Sequence, residues 1–168
     1  MNPEPRSRAS AIRQILERHG RDAVYVASTG YLSRAVFAEA GTEYDVFYMQ
    51  GSMGLAPAIG LGMALNTERD VVVVNGDGAL LMSLGTTHTL KWKAPANLYH
   101  YVLDNGCHES VGAQPCAPLE RSYPGVTEIF EISRDGKSPR VGVTPQENAE
   151  RIRASLRSSR HRSAAAKP

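Results

Sequence analysis

The chain has 168 residues, of which 42% are hydrophobic and 21% charged, and its formal net charge is +2. This size and apolar content fit one domain with a single core, and so small and dispersed a charge does not favour nucleic-acid binding. There is no apolar run of roughly eighteen residues. Residues 1–8 are polar and contain prolines, so we expect no membrane span, no signal peptide and a cytoplasmic protein.

Five β-rich segments alternate with segments of helical pattern along the chain. The predicted strands are 23–27, 45–49, 71–75, 98–104 and 126–132, and the predicted helices are 7–19, 32–39, 53–66, 79–91 and 146–156. This alternation predicts an open, mostly parallel α/β sheet with helices on both faces. The four valines at 71–74 are typical of a strand that is buried on both sides.

The predicted domain covers residues 21–150. We expect a helical extension over 1–20 and a basic, disordered tail over 151–168. Helix 53–66 carries alternating glycines and alanines, although each internal glycine costs about 1 kcal/mol of helix stability. Either tight packing on the sheet or contact with a cofactor or second subunit could offset that cost. Cys107 and Cys116 lie in one predicted loop without CxxC spacing, and free thiols are favoured over a disulfide.

Glycine follows each of the first four predicted strands, at Gly30, Gly51, Gly76 and Gly106. One such glycine is ordinary turn chemistry. In a parallel sheet, however, these turns converge at the carboxyl edge, where ligands bind. The pattern therefore places a binding site at that edge.

The turn Gly76-Asp77-Gly78 puts a carboxylate where a helix begins, and Asn105 ends the next strand along the chain. Magnesium prefers oxygen ligands and is often shared with phosphate oxygens, and helix N-termini attract phosphate. Asp77 and Asn105, with a backbone carbonyl of the Gly106-Cys107 turn, therefore predict a magnesium–diphosphate site. A helix cap at Asp77 and a turn residue at Asn105 are the simpler alternatives. The joint spacing favours the metal site.

The familiar nucleotide-binding loops are not favoured. The GxxxxGK[ST] pattern is absent, and Gly60-Leu61-Gly62 lies inside a predicted helix instead of following a strand.

The pair Gly76-Asp77-Gly78 and Asp104-Asn105 resembles the motif of thiamin-diphosphate-dependent enzymes, with Asp104 replacing the first of two asparagines. Segments 28–34, 48–54, 76–82 and 105–115 extend the likeness, which runs from about residue 23 to residue 148. They are similar to phosphonopyruvate decarboxylases and to the β chains of sulfopyruvate decarboxylases. A β chain of a 2-oxo-acid:ferredoxin oxidoreductase is less favoured, because cluster cysteines are absent.

The resemblance implies site roles at the matching positions. It implies Mg²⁺ ligands at Asp77, Asn105 and the Cys107 carbonyl. It implies thiamin diphosphate contacts at Thr29, Gly30, Gly51, Ser52, Met53, Gly76, Asp77, Gly78, Ala79, Asn105, Cys107 and Ser110. Met53 would support the bent cofactor, although a core methionine is the alternative.

His108 and Glu109 are the catalytic candidates, because the loop that carries them would close over the cofactor. Each could contact substrate or move a proton, and an exposed loop pair is the alternative. Arg34 could meet an acidic group, but a position on the helix surface is favoured.

The resemblance also implies a partner. In this family the glutamate that activates the cofactor belongs to another domain, which nothing in this sequence matches, so we expect a separate α subunit with the pyrimidine-binding domain and that glutamate. The substrate would be a small anionic 2-oxo acid, phosphonopyruvate before sulfopyruvate. The short link 116–123 replaces a helix–strand–helix stretch of the family. A non-catalytic scaffold that keeps the fold is therefore an alternative.

Overall fold

The computed structural model describes residues 5–165, and side-chain burial is described as far as Arg157. Within this range five strands form one sheet: β1 (Val24–Ala27), β2 (Asp45–Tyr48), β3 (Val71–Gly76), β4 (Leu98–Asp104) and β7 (Glu128–Glu131). Their order is β2-β1-β3-β4-β7, and every pairing is parallel. Two short strands, β5 (Cys107–His108) and β6 (Gln114–Pro115), form an antiparallel hairpin beside the sheet. The five predicted strands and the parallel α/β architecture are confirmed.

The helices of the described range are α1 (Arg8–His19), α2 (Tyr31–Ala40), α3 (Ala56–Ala64), α4 (Asp77–Met82), α5 (Gly85–Lys93) and α6 (Pro145–Ala165). The prediction of one helix over 79–91 is wrong: Ser83 leaves the helical conformation (φ −133°, ψ 41°), and Gly85 is a weak helix former. Helix α3 begins three residues later than predicted, because Gly51, Ser52 and Gly54 have positive φ.

The expected disordered tail is helical as far as Ala165. Its alanines, arginines and leucine are strong helix formers, which the charge pattern alone did not reveal. Residues 1–4 of the predicted extension and 166–168 of the tail lie outside the described residues. None of the helices that the structure describes is long and apolar enough to cross a membrane.

The sheet separates two apolar clusters of unequal size. The larger cluster packs α1 and α2 against one face, whereas the smaller one consists of Val26, Met49, Ala56 and Val73 under α3. The valines at 71–74 are at most 1% exposed, as predicted for a strand covered on both sides. At the outer edge of β7, Ile132 forms a parallel bridge with Arg6, so the N-terminal segment covers this edge.

The glycines of α3 have different surroundings. A Cβ at Gly60 would overlap the Cγ2 of Val73, whereas a Cβ at Gly62 would meet no atom within 4 Å. Gly60 thus lets the helix approach β3 closely, which supports the packing interpretation at that position. Gly62 lies on the exposed side of α3.

Substitution by alanine should separate these two roles. Gly60→Ala should lower the free energy of unfolding by about 1–3 kcal/mol, because the added methyl group overpacks the α3–β3 contact. Gly62→Ala should raise it by about 0.4–1 kcal/mol, since alanine is the better helix former and meets no neighbour. Urea denaturation of the two variants measures both values. Equal effects at the two positions would contradict this packing.

Candidate functional site

A cleft of about 650 Å³, part of it open to solvent, lies at the carboxyl edge of the sheet. The turns after β1, β2, β3 and β4 meet there, as expected for a parallel sheet. The predicted site residues that line it are Thr29, Met53, Gly76, Asp77, Gly78, Ala79, Asn105, Cys107, His108, Glu109 and Ser110. The residues that the sequence interpretation grouped together thus come from four separate turns.

Three predicted residues lie beside the cleft without lining it: Gly30, Gly51 and Ser52. A Cβ at Gly30 would lie 3.1 Å from the Oγ of Ser110, so this glycine allows two loops to approach. The backbone N–H of Gly51 donates to the Oγ1 of Thr29 at 2.8 Å, which ties the turn after β2 to the turn after β1. Gly51 and Ser52 are exposed at this rim.

Asp77 is the first residue of α4 and is 5% exposed, and its Oδ2 has no hydrogen-bond partner. Burial raises the pKa of the Asp77 carboxyl, and the like charge of Asp104 raises it further, although the Gly78 backbone N–H opposes this. A buried carboxylate with one unpartnered oxygen beside a second carboxylate is costly unless a cation compensates it. The donor set at this position therefore fits a divalent ion.

Asn105 is held in a defined orientation at the end of β4. Its Oδ1 accepts from the Cys107 backbone N–H at 3.2 Å, and its Nδ2 donates to Glu109 at 2.9 Å. No three His, Cys, Asp or Glu side chains of the described chain converge on a common metal site. A cation here would depend on Asp77, amide and backbone oxygens and phosphate oxygens, which suits magnesium.

His108 and Met53 converge on the start of α4. A Cβ at Gly78 would lie 2.6 Å from the Nδ1 of His108 and 3.1 Å from the Cε of Met53. Glycine at this position therefore allows both side chains to approach the α4 backbone. Met53 lies at the cleft wall and not in the apolar cluster beneath α3, which favours contact with a ligand over a core role.

Glu109 is anchored by protein groups. Its carboxylate forms an ion pair with Arg8 and accepts hydrogen bonds from Asn105 and from the Gly136 backbone N–H. The side chains of Arg8 and Glu109 are only 5% and 12% exposed. These contacts favour a positioning role for Glu109, which holds the Asn105 amide, over proton transfer. The sequence analysis did not identify Arg8, because it lies 101 positions from Glu109 and no sequence pattern links the two residues.

Comparison with known proteins identifies similar chains. Residues 26–150 match the family described as thiamine pyrophosphate enzyme, C-terminal TPP binding domain. The chain is 47% identical over 120 residues to a phosphonopyruvate decarboxylase of Streptomyces viridochromogenes, covering 71% of this chain and 30% of that protein. It is 40% identical over 107 residues to a sulfopyruvate decarboxylase subunit beta of Methanocaldococcus jannaschii, covering 64% of this chain and 56% of that protein.

The fold has solved counterparts. A 2-oxoglutarate:ferredoxin oxidoreductase from Magnetococcus marinus aligns with a TM-score of 0.51 at 18% identity, covering 89% of this chain and 56% of that one. The chain spans 30% of the Streptomyces viridochromogenes relative and about half of the Methanocaldococcus jannaschii one. The structural likeness shows a common fold.

The Arg8–Glu109 pair should contribute more to stability than an exposed pair. Arg8→Met should lower the free energy of unfolding by about 3 kcal/mol, because it leaves the buried Glu109 carboxylate without its countercharge. The double variant Arg8→Met/Glu109→Leu should regain part of that loss, since no unpaired buried charge remains. Arg13→Met, at the more exposed pair with Glu39, should cost at most about 1 kcal/mol and is the matched control. Equal losses at Arg8 and Arg13 in thermal or urea unfolding would contradict the anchoring role.

Proposed function

The chain belongs to the thiamine pyrophosphate enzymes, through their C-terminal TPP-binding domain, and we propose that it is the β subunit of a magnesium-dependent 2-oxo-acid decarboxylase. The buried Asp77 carboxylate, with one oxygen unpartnered opposite the Asn105 turn, is the observation that carries this proposal. The names of its curated relatives supply the reaction class.

Phosphonopyruvate is the proposed substrate. It is supported by the two phosphonopyruvate decarboxylases among the relatives, which are 47% and 44% identical to this chain. Sulfopyruvate is the second candidate, because several relatives are named as beta subunits of sulfopyruvate decarboxylase. Both substrates combine a 2-oxo acid with a tetrahedral anionic tail.

When bound, thiamin diphosphate supplies the electron sink for loss of carbon dioxide from a 2-oxo acid. In the proposed site, Asp77, the Asn105 amide oxygen and the Cys107 carbonyl hold magnesium. Gly78, Ala79 and Ser110 meet the diphosphate, and Met53 supports the cofactor from the cleft wall. The role of these groups is to bind and orient the cofactor, and the cofactor carries the electrons of the reaction.

Two residues and one backbone group complete the proposed arrangement. The Gly51 carbonyl would accept a hydrogen bond from the amino group of the cofactor. His108, which projects over Gly78, is the candidate for moving a proton at the reacting carbon. Glu109 positions Asn105 through its contacts with Arg8 and Gly136.

A separate α subunit is part of the proposal. Among the described residues that line the cleft, Glu109 is the one glutamate, and its ion pair with Arg8 makes it unsuited to activate a cofactor. Large apolar side chains are exposed at Val111, which lines the cleft, and near Met53 of the cleft wall, at Leu55 two residues further on and at Met82 beside Gly54. Exposed apolar groups next to a binding site are typical of a protein–protein contact. A partner would cover them and bring the activating glutamate.

Asp77→Asn should weaken magnesium-dependent binding of thiamin diphosphate by more than about 100-fold, because the neutral amide loses the charge that attracts the cation. Asp104→Asn is the matched control. It restores the asparagine of the family motif and keeps an oxygen for the Gly106 N–H, so affinity should stay close to that of the wild type. Isothermal titration calorimetry, with and without magnesium, measures both.

Turnover is tested by mixing the chain with the product of the neighbouring gene and measuring carbon dioxide release from phosphonopyruvate, sulfopyruvate and pyruvate. Activity in the mixture, and in neither protein by itself, supports the β-subunit proposal. Cofactor binding without turnover of any of the three acids would favour the scaffold alternative. Unchanged cofactor affinity in Asp77→Asn would contradict the proposed metal site.

A further inference from the structure

A second cleft, of about 790 Å³ and also partly open to solvent, adjoins the cofactor cleft and shares Thr29 with it. It lies between the start of α2, the turn after β2 and the segment 140–145. Its polar side chains are those of Thr29, Ser33, Arg34, Gln50 and Arg140. None of the described residues that line this cleft is acidic.

The start of α2 lies between the two clefts: Tyr31 and Leu32 line the cofactor cleft, whereas Gly30 and Ser33 line this one. Gly30 is the N-cap and supplies no side-chain cap, so the N–H groups of the first turn are left without an intrahelical or side-chain acceptor. The ten-residue helix also directs the positive end of its dipole here. Both features favour an anion.

Ser33 points independently to a ligand. This residue lines the cleft and is 2% exposed, and its hydroxyl has no hydrogen-bond partner among the described groups. Buried hydroxyl groups are nearly always hydrogen-bonded, and an exception needs a reason. A bound oxyanion would accept the hydrogen bond that the protein leaves unmade.

Two arginines complete the set. Arg34, on α2, and Arg140, on the segment before α6, both line the cleft, and neither forms an ion pair with another described residue. The Arg34 guanidinium lies 5.5 Å from the centroid of the Tyr31 ring, which restricts its position. Guanidinium groups bind tetrahedral oxyanions through two parallel hydrogen bonds. The helix-surface interpretation of Arg34 is therefore incomplete.

We propose that this cleft binds the phosphonate or sulfonate tail of the 2-oxo acid, while the keto-acid end faces the cofactor cleft across Thr29. The proposal rests on the proposed decarboxylase function for the identity of its ligand. The site itself rests on the first turn of α2, the Ser33 hydroxyl and the two arginines. An acid without a charged tail, such as pyruvate, would leave these groups unpaired.

Binding to the full chain tests the site without turnover. The probe is 3-phosphonopropionate, an unreactive acid with the same tail, titrated by calorimetry in the presence of magnesium and thiamin diphosphate. Arg34→Gln and Arg140→Gln should each weaken binding by at least about tenfold, the typical loss for one charge-assisted contact. Arg153→Gln, at an exposed arginine of α6, is the control and should leave binding unchanged. If Arg34→Gln and Arg140→Gln bind 3-phosphonopropionate as tightly as the control Arg153→Gln, the proposal is overturned.

Inorganic phosphate distinguishes a substrate site from a general anion site. Phosphate should compete only weakly with 3-phosphonopropionate, and competition at equal affinity would overturn the substrate assignment. In the complex with the partner, Arg34→Gln should raise KM for phosphonopyruvate by at least about tenfold, with kcat within threefold and cofactor affinity unchanged. An unchanged KM in an active complex refutes this inference and leaves the decarboxylase function standing. Failure of the wild type to bind thiamin diphosphate refutes that function, and loss of probe binding in the arginine variants would still support the anion site.

Discussion

The constraint on which the site depends is the buried carboxylate of Asp77. It begins α4 at the end of β3, one of its oxygens has no partner, and the Asp104 carboxylate is close enough to raise its pKa. A neighbouring negative charge opposes the ionisation of a buried carboxyl such as that of Asp77. A divalent cation with a diphosphate would reverse that balance, because the cation favours ionised oxygen ligands and the diphosphate completes its coordination.

The surrounding structure keeps the second proposed ligand in place. Arg8 reaches from α1 to Glu109, Glu109 holds the Asn105 amide, and the Asn105 oxygen is directed towards the turn beside Asp77. On the other side, Gly78 lets His108 and Met53 approach the α4 backbone. Positioning groups of this kind commonly alter metal affinity when they are mutated. These contacts of Glu109 support a proposed positioning role through Asn105, in place of the direct catalytic role that its sequence position suggested.

The strands, and the meeting of the candidate site residues at one edge of the sheet, could be predicted, because both follow from local pattern and parallel topology. A run of valines indicates a doubly covered strand, and the parallel order brings Asp77 and Asn105 to one edge. The break at Ser83 and the Arg8–Glu109 pair could not, because the first depends on a balance of weak helix propensities and the second on tertiary contacts, and neither leaves a periodic signal. The helical tail was missed because its charge pattern was given more weight than its strong helix formers. Arg140, the second arginine of the anion cleft, lies in an irregular segment, so no helix or strand periodicity predicts its position.

The most direct test of the account is the position of the cation in a crystal structure with thiamin diphosphate and Mn²⁺, located by anomalous scattering. The account predicts one Mn²⁺ at about 2.0–2.2 Å from an oxygen of Asp77 and from the Oδ1 of Asn105, bridged to the diphosphate. A cation bound elsewhere, or a diphosphate that contacts neither turn, would contradict it.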